Sequence, residues 1–198
     1  LEVSGGYIYN TYTSQNSSSY KNFFSSKPGN GFSFGFGFDS VMLEILPLKF
    51  SFFINQYDGY AYEVERANAG GHTIEFYGRN TVFMIQFHFV NLRYKRIGFS
   101  AGCNGSFILD SKHSGFKSTW MITGNNHYYD LSNDSTKNET NFIFGVSGSI
   151  RYFFPITTRI EIAPQYRFYI SLCSEFSELM DIGSIQHIAE IGLIYKLQ

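Results

Sequence analysis

Proline, tryptophan and charge are scarce in this chain, and each scarcity closes off a class of protein. Four prolines and one tryptophan stand among 198 residues, only 16% of the chain is charged, and the formal net charge is −1. No cluster of lysine and arginine is dense enough to neutralise a phosphate backbone, so nucleic acid is not an expected partner. No stretch reaches the roughly 18 consecutive apolar residues that a membrane helix needs, which excludes helical insertion. The chain opens on Leu1-Glu2-Val3-Ser4-Gly5 with neither a basic segment nor an apolar signal core, and any export signal is expected to have been removed.

What the chain has in quantity is phenylalanine, tyrosine and glycine, at 22, 15 and 19 residues. Gly31-Phe32-Ser33-Phe34-Gly35-Phe36-Gly37-Phe38 alternates four phenylalanines with the smallest residues. In a soluble sheet glycine would coat the outside. In a small membrane barrel the rings meet acyl chains and the small residues share a cramped lumen. The pattern recurs in eight segments of about the length a tilted strand needs to cross a bilayer: Glu2 to Tyr12, Gly31 to Asp39, Leu48 to Tyr62, Thr81 to Val90, Ile97 to Leu109, Phe142 to Phe154, Arg159 to Leu172 and Gln186 to Leu197. The expected fold is all-β, an eight-stranded antiparallel transmembrane β-barrel forming one domain over residues 1–198. A lipocalin also has eight strands, but it would expose the Gly- and Ser-rich face to water and carry an early Gly-x-Trp motif, whereas the one tryptophan here is Trp120.

Connector lengths orient the barrel. The joins Asp39 to Pro47, Asn91 to Arg96 and Pro155 to Thr158 are short, while Thr13 to Asn30, Asp58 to Arg79, Asp110 to Asn141 and Cys173 to Ile185 are longer and polar. Short turns belong to the periplasm and long loops to the exterior, so both termini are periplasmic. Tyr94, Tyr152, Phe154 and Tyr195 are expected at the periplasmic rim, and Tyr7, Tyr9, Tyr57, Tyr60 and Tyr62 at the outer one. Pro164 is expected to cause a bulge or local irregularity in the seventh strand.

Three stretches carry a family resemblance: Gly35-Phe36-Gly37-Phe38-Asp39 followed by Leu46-Pro47-Leu48-Lys49-Phe50-Ser51-Phe52, the small-residue alternation of Ile97 to Leu109, and the closing Ile191-Gly192-Leu193-Ile194-Tyr195-Lys196-Leu197. In these the chain resembles the PorT-like small outer-membrane β-barrel proteins of Bacteroidetes. The resemblance implies a barrel of OmpA/OmpX-like size and a setting in protein secretion, barrel assembly or nutrient uptake. Similar proteins end in an aromatic residue. This chain ends Tyr195-Lys196-Leu197-Gln198, so that signal is displaced or the natural terminus lies further on.

With the aromatic face outward, Lys49, Asn55, His88, Asn104, Arg151, Glu161, Gln165, Arg167 and Glu190 point inward. Eight strands leave an interior that side chains fill, so a filled, salt-bridged polar lumen is expected, with Arg151, Glu161, Arg167 and Glu190 neutralising one another. A proton relay through His88 is the sharper alternative to a simple hydrogen bond. Cys103 faces outward and Cys173 inward, which argues against a disulfide.

The loop Asp110 to Asn141 holds Trp120-Met121-Ile122 and His127-Tyr128-Tyr129, aromatic clusters that either fold over the barrel mouth or form a docking surface. His113 and His127 share that loop with Asp110, Asp130 and Asp134, but their spacing matches no metal site, and neither metal nor cofactor is expected. Ser174 or Ser177, His187, and Glu175 or Glu178 could in principle assemble a lipid A-directed catalytic set, yet nothing in their spacing enforces it. The reading is therefore a non-enzymatic integral barrel of the bacterial outer membrane with long extracellular loops. It contacts membrane lipid, lipopolysaccharide and other outer-membrane proteins as an accessory or structural subunit of a larger envelope complex. A free-standing adhesive barrel is the first alternative and a lipid A-modifying enzyme the second.

Overall fold

The computed structural model describes residues 1–14, 23–40, 48–67, 69–121, 123, 124, 126–130, 142–173 and 182–196. Eleven strands are present: β1 Glu2–Ser14, β2 Phe23–Lys27, β3 Gly29–Ser40, β4 Leu48–Ala67, β5 Gly70–Tyr94, β6 Ile97–Met121, β7 His127–Asp130, β8 Phe142–Tyr152, β9 Phe154–Pro155, β10 Ile160–Ser171 and β11 Ile182–Tyr195. Eight of them close a ring in the order β1, β3, β4, β5, β6, β8, β10, β11, and β11 pairs with both β10 and β1. All ring pairings are antiparallel. Closure leaves no unpaired edge within the bilayer, where an unsatisfied backbone group would cost several kcal/mol.

The side chains alternate as the sequence pattern requires. Phe32, Phe34, Phe36 and Phe38 project outward, while Ser33, Gly35 and Gly37 are buried in the interior. The outward rings pack across strands: Phe36 lies 5.0 Å from Phe52, Phe38 5.5 Å from Phe50, and Phe50 5.0 Å from Phe87. Such a surface is stable only against lipid. The lumen face cannot accept bulk where it has glycine: a Cβ on Gly35 would lie 2.2 Å from the Phe53 ring.

Irregularities sit where the sequence breaks the ladder. Pro28 separates β2 from β3, and the pairing with β4 moves by one residue across it, from Lys27↔Tyr60 to Gly31↔Tyr57. Pro164 stays in register with Ile191 of β11 and produces no bulge. On its other side the ladder is interrupted between Ile162↔Phe154 and Gln165↔Arg151, where β8 gives way to β9 at Phe153. The register on both sides of that gap is the same, so the missing proline N–H opens the ladder without displacing it. The β5–β6 connection is a two-residue turn, Lys95-Arg96, with Lys95 in the left-handed region at φ 52°.

Two stretches expected as loops are strand. The Asp58 to Arg79 segment is the far end of the β4–β5 hairpin, paired from Asp58↔Arg79 to Ala67↔Gly70. The Asp110 to Met121 segment belongs to β6, which pairs with β5 up to Gly70↔Met121. With β2 on one flank and β7 on the other, β4, β5 and β6 form a five-stranded sheet that rises from one side of the ring. From Asp58 to Ala67 it runs on the order of 30 Å, at roughly 3.3 Å per residue, its lower part still packed on Tyr12 of β1 and its upper part beyond the ring. The polar composition of these stretches reflects a sheet standing above the membrane, where an aromatic lipid-facing surface has no purpose.

Candidate functional site

Two regions concentrate chemistry: the ionic layer of the lumen and the outward face of the rising sheet. The lumen layer follows from strand parity. Inward positions of β1, β4, β8, β10 and β11 carry Glu2, Lys49, Arg151, Arg167 and Glu190, all buried. Lys49 Nζ donates to Glu2 Oε2 at 2.5 Å and Arg151 Nη1 donates to the same oxygen at 3.2 Å. Arg167 Nη2 donates to Glu190 Oε1 at 2.6 Å and to Ser33 Oγ at 3.0 Å, while its guanidinium lies 3.6 Å from the centre of the Phe53 ring. Gln165 Nε2 donates to Glu190 Oε2 at 2.7 Å.

This arrangement corrects the expected pairing. Arg151 pairs with Glu2, which the sequence reading left out of the network, and Glu161 stands apart at the periplasmic mouth. There Glu161 accepts from Arg93 at 2.8 and 3.0 Å and from Lys196 at 2.8 Å, and Arg93 stacks 3.8 Å from the Phe153 ring. Glu2 was within reach of the parity argument, since it alternates with Val3 as Ser4 does. Arg93 and Lys196 lie at strand ends, where parity gives no guidance.

His88 is buried and its Nε2 lies 3.3 Å from Ser147 Oγ. Asn104 and Asn55 are buried nearby. The Asn55 amide points at the Met84 sulfur at 3.9 Å, and the Asn104 side chain has no protein partner among the described residues. Above the ionic layer the lumen is filled by Phe53, Met84 and Tyr169, then Ile8, Tyr57, Val82 and Ile188, then Tyr12, Ala61, Ile74 and Phe76, with the buried amides Asn10, Asn55, Asn80, Gln86 and Gln186 interleaved among them. Tyr57, expected at the outer rim, is inside this plug, because it shares parity with Phe53 and Asn55.

The rising sheet presents a different surface. Its outward positions form cross-strand rows: Lys27, Tyr60, Tyr77 and Ser114; then Ser25, Tyr62, Glu75, Phe116 and Asp130; then Phe23, Val64, Thr73, Ser118 and Tyr128. Phe23 is 61% exposed, Phe116 42% and Tyr128 74%. Lys27 Nζ sits 5.1 Å from the Tyr60 ring centre, and Phe23 packs edge-on to Tyr62 at 6.4 Å. Tyr77 donates to Asp58 Oδ2 at 2.8 Å, which holds its phenol above the usual value.

Of the proposed loop cluster, Trp120 and Tyr128 lie on this outward face. Met121 and His127 fall one position out of phase, on the opposite face. Tyr129 pairs with Lys117 through its backbone, and Ile122 lies outside the described residues. The described members of the cluster extend the sheet as the ends of β6 and β7.

Ser174, Ser177, Glu175 and Glu178 lie outside the described residues. His187 points to the lipid side, where its ring Nδ1 meets the Tyr166 hydroxyl and its ring stacks 6.0 Å from that of Tyr166. Among the described residues no group of three or more His, Cys, Asp or Glu side chains could hold a metal. His113 stacks on Phe76 at 6.2 Å, and Asp134 lies outside the described residues. Cys103 and Cys173 are free thiols.

No protein-family model and no curated protein matches the chain. Solved structures do. The attachment invasion locus protein Ail of Yersinia pestis, solved with the heparin analogue sucrose octasulfate, is 10% identical over 97% of this chain and 95% of its own, with a TM-score of 0.37. Neisserial surface protein A is 10% identical over 98% and 96%, with a TM-score of 0.37. The outer membrane protein OprG of Pseudomonas aeruginosa is 6% identical over 99% and 95%, with a TM-score of 0.45. The closed eight-strand ring and its aromatic belt make this chain an integral outer-membrane β-barrel.

Proposed function

We propose that this outer-membrane barrel works by association, as a non-enzymatic accessory subunit of a larger envelope complex, and that the rising sheet is its docking face. One observation carries the reading: the exposed rings Phe23, Tyr77, Phe116 and Tyr128 stand on the side of the sheet that continues the lipid-facing wall. A face with that direction looks along the membrane plane. What it meets is a neighbour standing in the same outer membrane, and clustered exposed aromatics interspersed with polar groups are the usual anchors of such contacts. The short flanking strands β2 and β7 limit edge-to-edge pairing, which leaves the face itself as the means of recognition. The family resemblance, with its setting in secretion, assembly or uptake, agrees with this reading.

The test is purification of the tagged protein from its native outer membrane in gentle detergent, followed by mass spectrometry of what stays bound in stoichiometric amount. A constant membrane partner that is lost in the Phe116→Ser, Tyr128→Ser variant is the expected result. Recovery of the barrel alone would overturn the proposal in favour of the free-standing adhesive barrel.

A further inference from the structure

The lipid-facing wall is not uniform. On the β3, β4 and β5 side it is plated with stacked phenylalanines. On the β6, β8, β10, β11 and β1 side it is cut by two apolar grooves. The larger, about 650 Å³, is floored by Gly5, Pro164 and Ala189 and walled by Ile150, Tyr152 and Tyr166. The smaller, about 390 Å³, shares Ile150 and Tyr166 with it and runs over Ala101 and Gly148. In the smaller groove two small residues meet across neighbouring strands, Ala101 of β6 and Gly148 of β8, and in the larger each small floor residue lies beside a large one, Ala189 opposite Tyr166 and Gly5 opposite Ile191.

Charge is placed on the same side. Ile97 and Tyr152, a cross-strand pair, form the foot of the larger groove, and Ile97 follows directly on the exposed turn Lys95-Arg96. The adjacent periplasmic turn carries exposed Arg159. Each turn is anchored to a neighbouring strand end, the Phe153 N–H donating to the Arg96 carbonyl at 2.8 Å and the Lys196 N–H to the Arg159 carbonyl at 2.9 Å. At this rim the Glu161 carboxylate takes Arg93 and Lys196. The sequence between β3 and β4, residues 41–47, contains no lysine or arginine. Grooves and cations therefore coincide on one half of the barrel.

We infer that this half is a binding site for an anionic glycerophospholipid of the periplasmic leaflet, its acyl chains in the two grooves and its phosphate on Arg96, Arg159 and Lys95. Apolar grooves alone would accept any lipid or a partner's membrane surface. The cations at their foot select a negatively charged headgroup at the depth where that leaflet's phosphates lie, while lipopolysaccharide belongs to the opposite leaflet.

The experiment is lipid titration of the purified barrel followed by native mass spectrometry, with phosphatidylglycerol and phosphatidylcholine of identical chains. The barrel should keep phosphatidylglycerol under activation that strips phosphatidylcholine. Arg96→Gln with Arg159→Gln should weaken that retention about thirtyfold, the loss expected of two membrane-surface cations. Ala189→Trp, which fills the groove floor, should reduce retention of both lipids. Lys112→Gln, at the other end of the barrel, should change nothing, and heat-dependent gel mobility confirms that each variant is folded. Equal retention of the two lipids by the unaltered protein, or retention indifferent to the periplasmic substitutions, would overturn the inference. So would a photo-crosslinker at Ala189 that captures a protein in native membranes in place of phospholipid.

Discussion

The carboxylate of Glu2 and the guanidinium of Arg151 meet at 3.2 Å across the interior of the barrel, from β1 and β8, with β10 and β11 between them on the wall. Lys49 of β4 closes on the same carboxylate from the other direction. One residue at the start of the chain thus ties together walls that the backbone ladder connects only the long way round.

That position makes Glu2 the most consequential charge in the lumen. Glu2→Gln leaves Lys49 and Arg151 buried without their acid, and breaking a buried pair from one side typically costs about 3–5 kcal/mol. Urea unfolding of the refolded barrel in lipid vesicles should show a loss of that order. Exchanging Glu2 and Lys49 together for methionine should destabilise less than the sum of the single changes. A loss under about 1 kcal/mol for Glu2→Gln, the value typical of exposed pairs, would mean that solvent screens the layer.

Glycine in the barrel wall is a steric requirement at some positions, such as Gly35 on the lumen face, and incidental at others, such as Gly5 on the lipid face. A Cβ on Gly35 would meet the Phe53 ring at 2.2 Å and the Phe52 carbonyl oxygen at 2.6 Å, while one on Gly5 would find nothing nearer than 3.7 Å. Gly35→Val should therefore destabilise by about 1–3 kcal/mol, the usual penalty of overpacking. Gly5→Ala should stay within roughly 0.5 kcal/mol. The same vesicle unfolding assay compares them.

The ring was legible in the sequence because a period of two with aromatics on one side has few physical solutions. Phe32, Phe34, Phe36 and Phe38 identify the lipid face without any knowledge of the neighbours. The lumen pairs were only half legible: parity places Lys49, Arg151 and Arg167 inside, but which acid each one reaches depends on strand stagger and side-chain length, and these bring Arg151 to Glu2. Tyr57 misled because tyrosine serves equally at a rim and in a core, and only its phase with Phe53 distinguishes the two. The rising sheet was read as loop because above the membrane the alternation weakens, with polar residues such as Glu63 and Glu65 on one face and Asp58 and Arg66 on the other.

The aromatic belt gives a depth-dependent prediction. Phe36 is 51% exposed and stacks on Phe52 near the middle of β3, whereas Tyr94 lies at the periplasmic end of β5. Phe36→Arg should lower folding free energy in vesicles by about 2–4 kcal/mol and Tyr94→Arg by about 0–1 kcal/mol, the contrast between midplane and interface. Equal effects at the two sites would mean that the bilayer does not sit where the belt indicates.

Conduction is the property on which the two kinds of lumen filling differ. If the ionic layer were the barrier, Arg167→Ala with Glu190→Ala would open the barrel. Yet beyond that layer stand Phe53, Met84 and Tyr169, then Ile8, Tyr57, Val82 and Ile188, all buried. These tightly packed apolar side chains, with buried amides such as Asn55 and Gln186 set among them, fill the narrow interior of eight strands and leave ions no open path, whatever the charges below do. In planar bilayers the unaltered protein and the Arg167→Ala, Glu190→Ala variant should both show no discrete conductance steps. Steps should emerge only when the plug is also truncated, in Tyr57→Ala with Phe53→Ala and Tyr169→Ala. Steps from the charge variant alone would assign the seal to the salt bridges and relegate the apolar layers to packing.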